Sequence, residues 1–187
     1  MFVTVGTDHH PFDRLVGWID RWASTEGARG VRCLVQSGTS LPPRNVEWSR
    51  FLTQEETRAA LRAATAVVSH AGPGTVMSCR ALGVLPIVVP RTVALGEHVD
   101  DHQVSFARKM ADRAQLRLAE NYADLAGCLD RAVAEPSAFR TPPTGQRTGE
   151  AVARFEELVE RLIDDRQTTS GRWSRRPSLP LHRTHPP

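Results

Sequence analysis

Cysteine is scarce in this 187-residue chain: Cys33, Cys79 and Cys128 lie far apart, without CxxC spacing. That argues against a disulfide framework and reads as buried or reduced thiols of a cytosolic protein. Long apolar runs are missing too. Nothing approaches the ~20 residues of a membrane span, and Phe2-Val3-Thr4-Val5 is too short for a signal peptide. No G-x-G-x-x-G follows the first apolar run, and no acid sits at the matching distance, which speaks against a nicotinamide-dependent oxidoreductase. No carboxylate pair or histidine cluster stands at ligand spacing, so the sequence implies neither metal nor cofactor. There is no internal repeat.

Positive charge is also missing from most of the chain, although the pI is about 9.1. Residues 166–187 hold five arginines (166, 172, 175, 176 and 183) and no acid, so they carry +5 of a net +3. Residues 1–165 are left at −2, which excludes a basic nucleic-acid face. The tail, rich in Pro, Ser, Thr and Arg, reads as disordered; its arginines suit anionic lipid headgroups. We therefore divide the chain into a domain over 1–165 and a tail over 166–187. The first is long enough for one hydrophobic core.

What is present centres on residues 66–90, AVVSHAGPGTVMSCRALGVLPIVVP. A short apolar run through Ser69 predicts a buried strand. His70-Ala71-Gly72-Pro73-Gly74-Thr75 follows as a glycine-containing turn. Val76 to Leu82 reads as a helix, stopped at Gly83, and Leu85 to Val89 as a second strand. This is a βαβ unit. The first turn of a helix has unpaired N–H groups and partial positive charge, so Gly74, Thr75 and Val76 can offer donors to a phosphate.

The other elements follow in the same alternation. Phe2 to Val5 predicts the first strand, with the turn Gly6-Thr7-Asp8-His9-His10 after it. Pro11 opens a helix whose inward stripe is Phe12, Leu15, Val16, Ile19, Trp22 and Ala23. Strands are expected at 31–36 and 46–51. Thr53-Gln54-Glu55-Glu56 is a capping box starting a helix through Ala64. Asp101 starts another helix, Leu116 to Leu118 forms an edge strand, and Tyr122 to Ala134 a helix with Leu125, Leu129, Ala132 and Val133 inward. Residues 135–149 read as a loop and 150–164 as a final helix. The result is one Rossmann-like α/β domain with a mostly parallel sheet covered on both faces. Ligands of such sheets bind beyond the carboxyl ends of the strands, where the turns 6–10, 70–75 and 91–101 should meet.

HAGPGT (70–75), PIVVPR (86–91) and LGEHVDDHQ (95–103), with FVTVGT (2–7) and PFDRLV (11–16), resemble the C-terminal domain of glycosyltransferase family 28. Within that family the chain is similar to small catalytic subunits of two-part enzymes of dolichol-linked oligosaccharide and bacterial exopolysaccharide synthesis. The resemblance implies the donor half of a GT-B fold and an inverting transfer from a UDP-sugar, with no cofactor. It also implies a membrane-anchored partner subunit that holds a lipid-linked saccharide acceptor. The chain would then be cytoplasmic, at the inner face of the membrane through that partner.

Gly6, Thr7, His70, Gly72, Gly74 and Thr75 would border the diphosphate. Arg91 could balance phosphate charge. Asp101, His102 and Gln103 match the segment that contacts donor-sugar hydroxyls in the family. His9 and His10 fit a general base by residue type. In relatives a carboxylate holds the ribose hydroxyls from the helix after the glycine turn. Here that position is Ser78, so either another acid such as Glu97 takes the task or the ribose is held loosely. Because Ser78 cannot grip a diol bidentately, a non-catalytic subunit of the same fold stays open as an alternative.

Overall fold

The computed structural model describes residues 1–143. The expected helix over 150–164 and the tail over 166–187 lie outside them. Among the described residues are six strands and five α-helices. The strands are β1 (Phe2–Thr4), β2 (Leu34–Gln36), β3 (Glu47–Ser49), β4 (Val67–Ser69), β5 (Ile87–Val88) and β6 (Arg117–Leu118). The helices are α1 (Asp13–Ala23), α2 (Gln54–Ala63), α3 (Pro73–Ala81), α4 (His102–Asp112) and α5 (Tyr122–Ala134). Every strand pair is parallel, and the order is β3-β2-β1-β4-β5-β6. This is the doubly wound Rossmann order.

Side-chain alternation along each strand builds two cores. Val3 pairs with Val68 and Val68 with Ile87, all on one face. That face packs with Leu15, Ile19 and Trp22 of α1 and Leu125 and Leu129 of α5. On the other face Phe2 and Val67 meet Leu61 and Cys79, while Val88 meets Val76 and Ala107. Each fully buried aliphatic side chain contributes about 1.5–3 kcal/mol over an exposed one. No helix of the described residues is long and apolar enough to cross a membrane.

The inward stripe of α1 is as expected, but the helix begins at Asp13 with Phe12 at its N-cap position. The Phe12 N–H is taken by the Ser40 hydroxyl at 2.7 Å instead. On α2, Thr53 and Glu56 close the capping box on each other's backbone N–H groups. Val133 of α5 is 41% exposed rather than inward, because the 100° step from Ala132 carries it off the face that Leu125, Leu129 and Ala132 share. The loop expected after α5 holds a short 3-10 turn, Pro136–Phe139, which buries Phe139.

Candidate functional site

In the strand order the chain runs outward from β1 on one side and from β4 on the other. The crevice of such a sheet lies between those two strands, at their carboxyl ends. Gly6 turns the chain there with φ +81°, and its N–H reaches the Thr4 hydroxyl at 3.1 Å. Thr7 is exposed in the same turn. Across the crevice, His70 donates its backbone N–H to the Thr4 carbonyl at 3.3 Å. Its imidazole fills the space between two glycines. A Cβ on Gly6 would lie 2.5 Å from His70 Cε1, and one on Gly72 would overlap His70 Nε2. Both glycines are therefore demanded by the histidine ring. Burial, then the positive charge of Arg91, lower the His70 pKa to about 4. The ring is neutral near pH 7, and its Nδ1 is buried without a hydrogen-bond partner among the described residues.

Helix α3 starts beside this ring, three residues earlier than its apolar spacing predicts. Gly72 is the N-cap and Pro73 the first helical residue, where proline's missing N–H costs nothing. The Val76 N–H is already bonded to the Gly72 carbonyl at 3.2 Å, so Val76 is not a free donor. Gly74 and Thr75 have no backbone acceptor among the described residues. Their N–H groups are the two left to face a ligand at the positive end of the helix. Ser78 is half-buried one turn further along α3.

The loop from β5 to α4 overturns two expectations. Arg91 is fully buried and does not face a phosphate. Its guanidinium donates to the carbonyls of Val5 at 2.9 Å, His10 at 2.8 Å, Glu97 at 3.0 Å and Pro11 at 3.3 Å. The charged group thus ties the first turn to the third. Glu97 is likewise spoken for. Its two carboxylate oxygens take Arg14 Nε and Nη2, both at 2.7 Å, and one also takes the Thr92 N–H at 3.0 Å. It is not free to hold a ribose. Arg14, on α1, lies in the PFDRLV segment, yet nothing along the chain pairs it with Glu97, 83 residues away.

Asp101 and Gln103 also make local contacts. Asp101 accepts the Val93 N–H at 3.2 Å, and Gln103 Oε1 accepts the Arg91 N–H at 3.3 Å. His102 is 90% exposed, with Nδ1 2.9 Å from Asp100. The His102 ring and backbone hydrogen bonds hold the Asp100 carboxyl below its usual range.

The first turn gathers a further cluster. His10 Nδ1 pairs with Asp8 Oδ1 at 2.8 Å, leaving Nε2 for another partner. His9 is largely exposed, His10 much less. Burial alone would raise Asp8, but the backbone and ring hydrogen bonds of His10, then the charge of Arg91, outweigh it and lower its pKa. His98, absent from the sequence-based site, lies 3.7 Å from Asp8 Oδ2. Where the sequence shows no histidine cluster at ligand spacing, folding brings Asp8, His9 and His10 ligand atoms within 4.8 Å of one another.

Among solved structures, the chain is similar to the glycotransferase of kitacinnamycin. Identity is 21% and the TM-score 0.50, over 86% of this chain and 42% of that one. It is also similar to MurG of Acinetobacter baumannii, at 16% identity and TM-score 0.46, over 83% and 49% of the two chains. The glycosyltransferase SnogD of Streptomyces nogalater matches at 22% identity and TM-score 0.34, over 84% and 43%. This chain spans less than half the length of each. No curated protein matches it. The glycosyltransferase family 28 C-terminal domain matches residues 1–162, which include the whole of the sheet-and-helix unit described above. The chain therefore belongs to the glycosyltransferase family 28 C-terminal domain family.

Proposed function

We propose that this chain is the donor-binding catalytic subunit of a two-component inverting glycosyltransferase that uses a UDP-sugar. The observation that carries the reading is the start of α3. Two backbone N–H groups, Gly74 and Thr75, lack backbone acceptors at the β1–β4 crevice. They suit a diphosphate, and in the transition state they would stabilise the charge growing on it as it leaves. The neutral, unpartnered His70 beneath them adds a polar edge without repelling a cation or an anion.

In the transfer, the acceptor oxygen bonds to C1 of the sugar as the bond from C1 to UDP breaks. The acceptor proton passes to a base. His10 suits that role, because Asp8 occupies its Nδ1 and orients the ring. Asp101, His102 and Gln103 border the same sheet edge and carry the hydroxyl-binding chemistry for the sugar. The acceptor is a lipid-linked saccharide held by a membrane-anchored partner, which would place the chain at the cytoplasmic face of the membrane. Leu95 and Val99, 61% and 72% exposed on the loop beside the site, support a partner surface there.

Ser78 favours a second reading, a subunit of the same fold that does not catalyse, since Glu97 is engaged by Arg14 and cannot replace the missing carboxylate. One experiment separates them. Thermal shifts with UDP, UDP-hexoses, GDP, ADP and NAD are compared for the chain alone, for the co-expressed pair, and for Gly74→Val. A uridine-selective shift, lost in Gly74→Val, is expected. Silence of both the chain and the pair toward every uridine nucleotide would sink the enzyme reading.

A further inference from the structure

The turn after β1 gathers more ligand chemistry than the His10–Asp8 pair that the transfer would use. Asp8, His9 and His10 are consecutive, yet one ligand atom from each lies within 4.8 Å of the other two. His9 Nδ1 is 3.3 Å from Asp8 Oδ1, and His10 Nδ1 is 2.8 Å from the same oxygen. The two imidazole centroids are 3.9 Å apart with the planes tilted by 41°. Both Nδ1 atoms therefore turn toward one carboxylate. Two ligands bonded at ~2.0–2.1 Å to a tetrahedral zinc ion stand roughly 3.3 Å apart. A small rotation of the exposed His9 ring and a slight shift of His10 would bring the present separations to that value.

The backbone of the turn is already held. Arg91 binds the His10 carbonyl at 2.8 Å, and the Thr39 hydroxyl binds the Asp8 carbonyl at 3.3 Å. His98 Nε2 stands 3.7 Å from Asp8 Oδ2, the carboxylate oxygen that the other two histidines do not use. His9 is 85% exposed, so the way in is open. Two imidazole nitrogens and one carboxylate oxygen suit zinc or a similar transition ion. Magnesium and calcium prefer oxygen ligands alone.

We propose that Asp8, His9 and His10 form a site for one divalent transition-metal ion, zinc before others, with its remaining position open to solvent. The site does not depend on the transferase reading, since it is read by direct binding. It does intersect that reading: a metal on His10 Nδ1 leaves the proton on Nε2, where a base must be bare.

The test uses the full chain with His182→Ala and His185→Ala, which removes the two histidines of the tail. Zinc is titrated in competition with a chromophoric chelator, with magnesium and calcium as controls. One zinc per chain is expected, displaced by neither control ion. Asp8→Asn, and separately His9→Ala with His10→Ala, should weaken it at least ~10-fold. His102→Ala should leave it unchanged. Cobalt should show the intense visible bands of a tetrahedral site, lost in the same variants. Circular dichroism checks each fold; if Asp8→Asn does not fold, the exposed His9→Ala alone carries the comparison. No zinc binding at micromolar concentrations, or equal affinity in the parent and the site variants, overturns the proposal.

Discussion

Two loops reach the same edge of the sheet and differ in how they use polarity. The 70–75 turn has no charged side chain, and its polar capacity is backbone N–H plus one neutral ring. The 89–101 loop is rich in charge, yet Arg91 and Glu97 are consumed by partners within the chain. The plain turn is therefore the one with donors to spare, and the charged loop is a brace. A buried charge must be compensated, so a charged residue in a loop beside a crevice is often already occupied. A helix N-terminus cannot satisfy its own first N–H groups. That difference leaves the 70–75 turn with donors that a ligand could take and makes the 89–101 loop a structural tie.

The comparison breaks most visibly at Arg91. Arg91→Ala should destabilise the chain by about 3–5 kcal/mol in urea unfolding, as four carbonyls lose a buried charged donor. If Arg91 were instead a phosphate ligand, the variant would keep its stability and lose only nucleotide binding.

Acid probes the 70–75 turn. The unfolded chain protonates His70 below its ordinary 6.5, whereas the folded chain resists until about 4. The unfolded state thus binds the extra proton in that window, and stability should fall as pH drops from 6.5 toward 4, by roughly 3 kcal/mol. His70→Gln should flatten this segment of the stability profile. An unchanged slope would mean that the ring protonates freely in the fold.

Gly72→Ala should cost about 1–3 kcal/mol by driving a methyl group into the His70 ring. Most of that cost should vanish in a His70→Ala background, where the colliding ring is gone. Additive effects of the two changes would show that Gly72 serves the backbone and not the ring. The smallest effect lies away from the crevice. Thr53→Ala should remove the capping box of α2 for about 1 kcal/mol and leave any nucleotide response intact. A change in that response would extend the site to α2.

Much of this could be read along the chain. The alternation of short apolar runs with helical stripes specified a parallel α/β sheet, and Thr53 with Glu56 located the start of α2. Each of these signals is local: strand period, helix period, a cap three residues from its partner. Apolar spacing puts the start of α3 three residues late, because Pro73 and Gly74 look like turn residues. At the first helical positions proline and glycine cost little, and the apolar stripe begins only at Val76.

Period and backbone chemistry, which neighbouring residues carry, account for the fold class, the glycine turn and the existence of a helix N-terminus after β4. Which polar groups remain available depends on contacts made across the fold. Arg14 meets Glu97 across 83 residues, Arg91 reaches back 86 residues to Val5, and His70 is pinned between Gly6 and Gly72. Whether a charge is free or spent depends on what the fold brings within 3 Å of it, and composition and spacing hold no record of that distance.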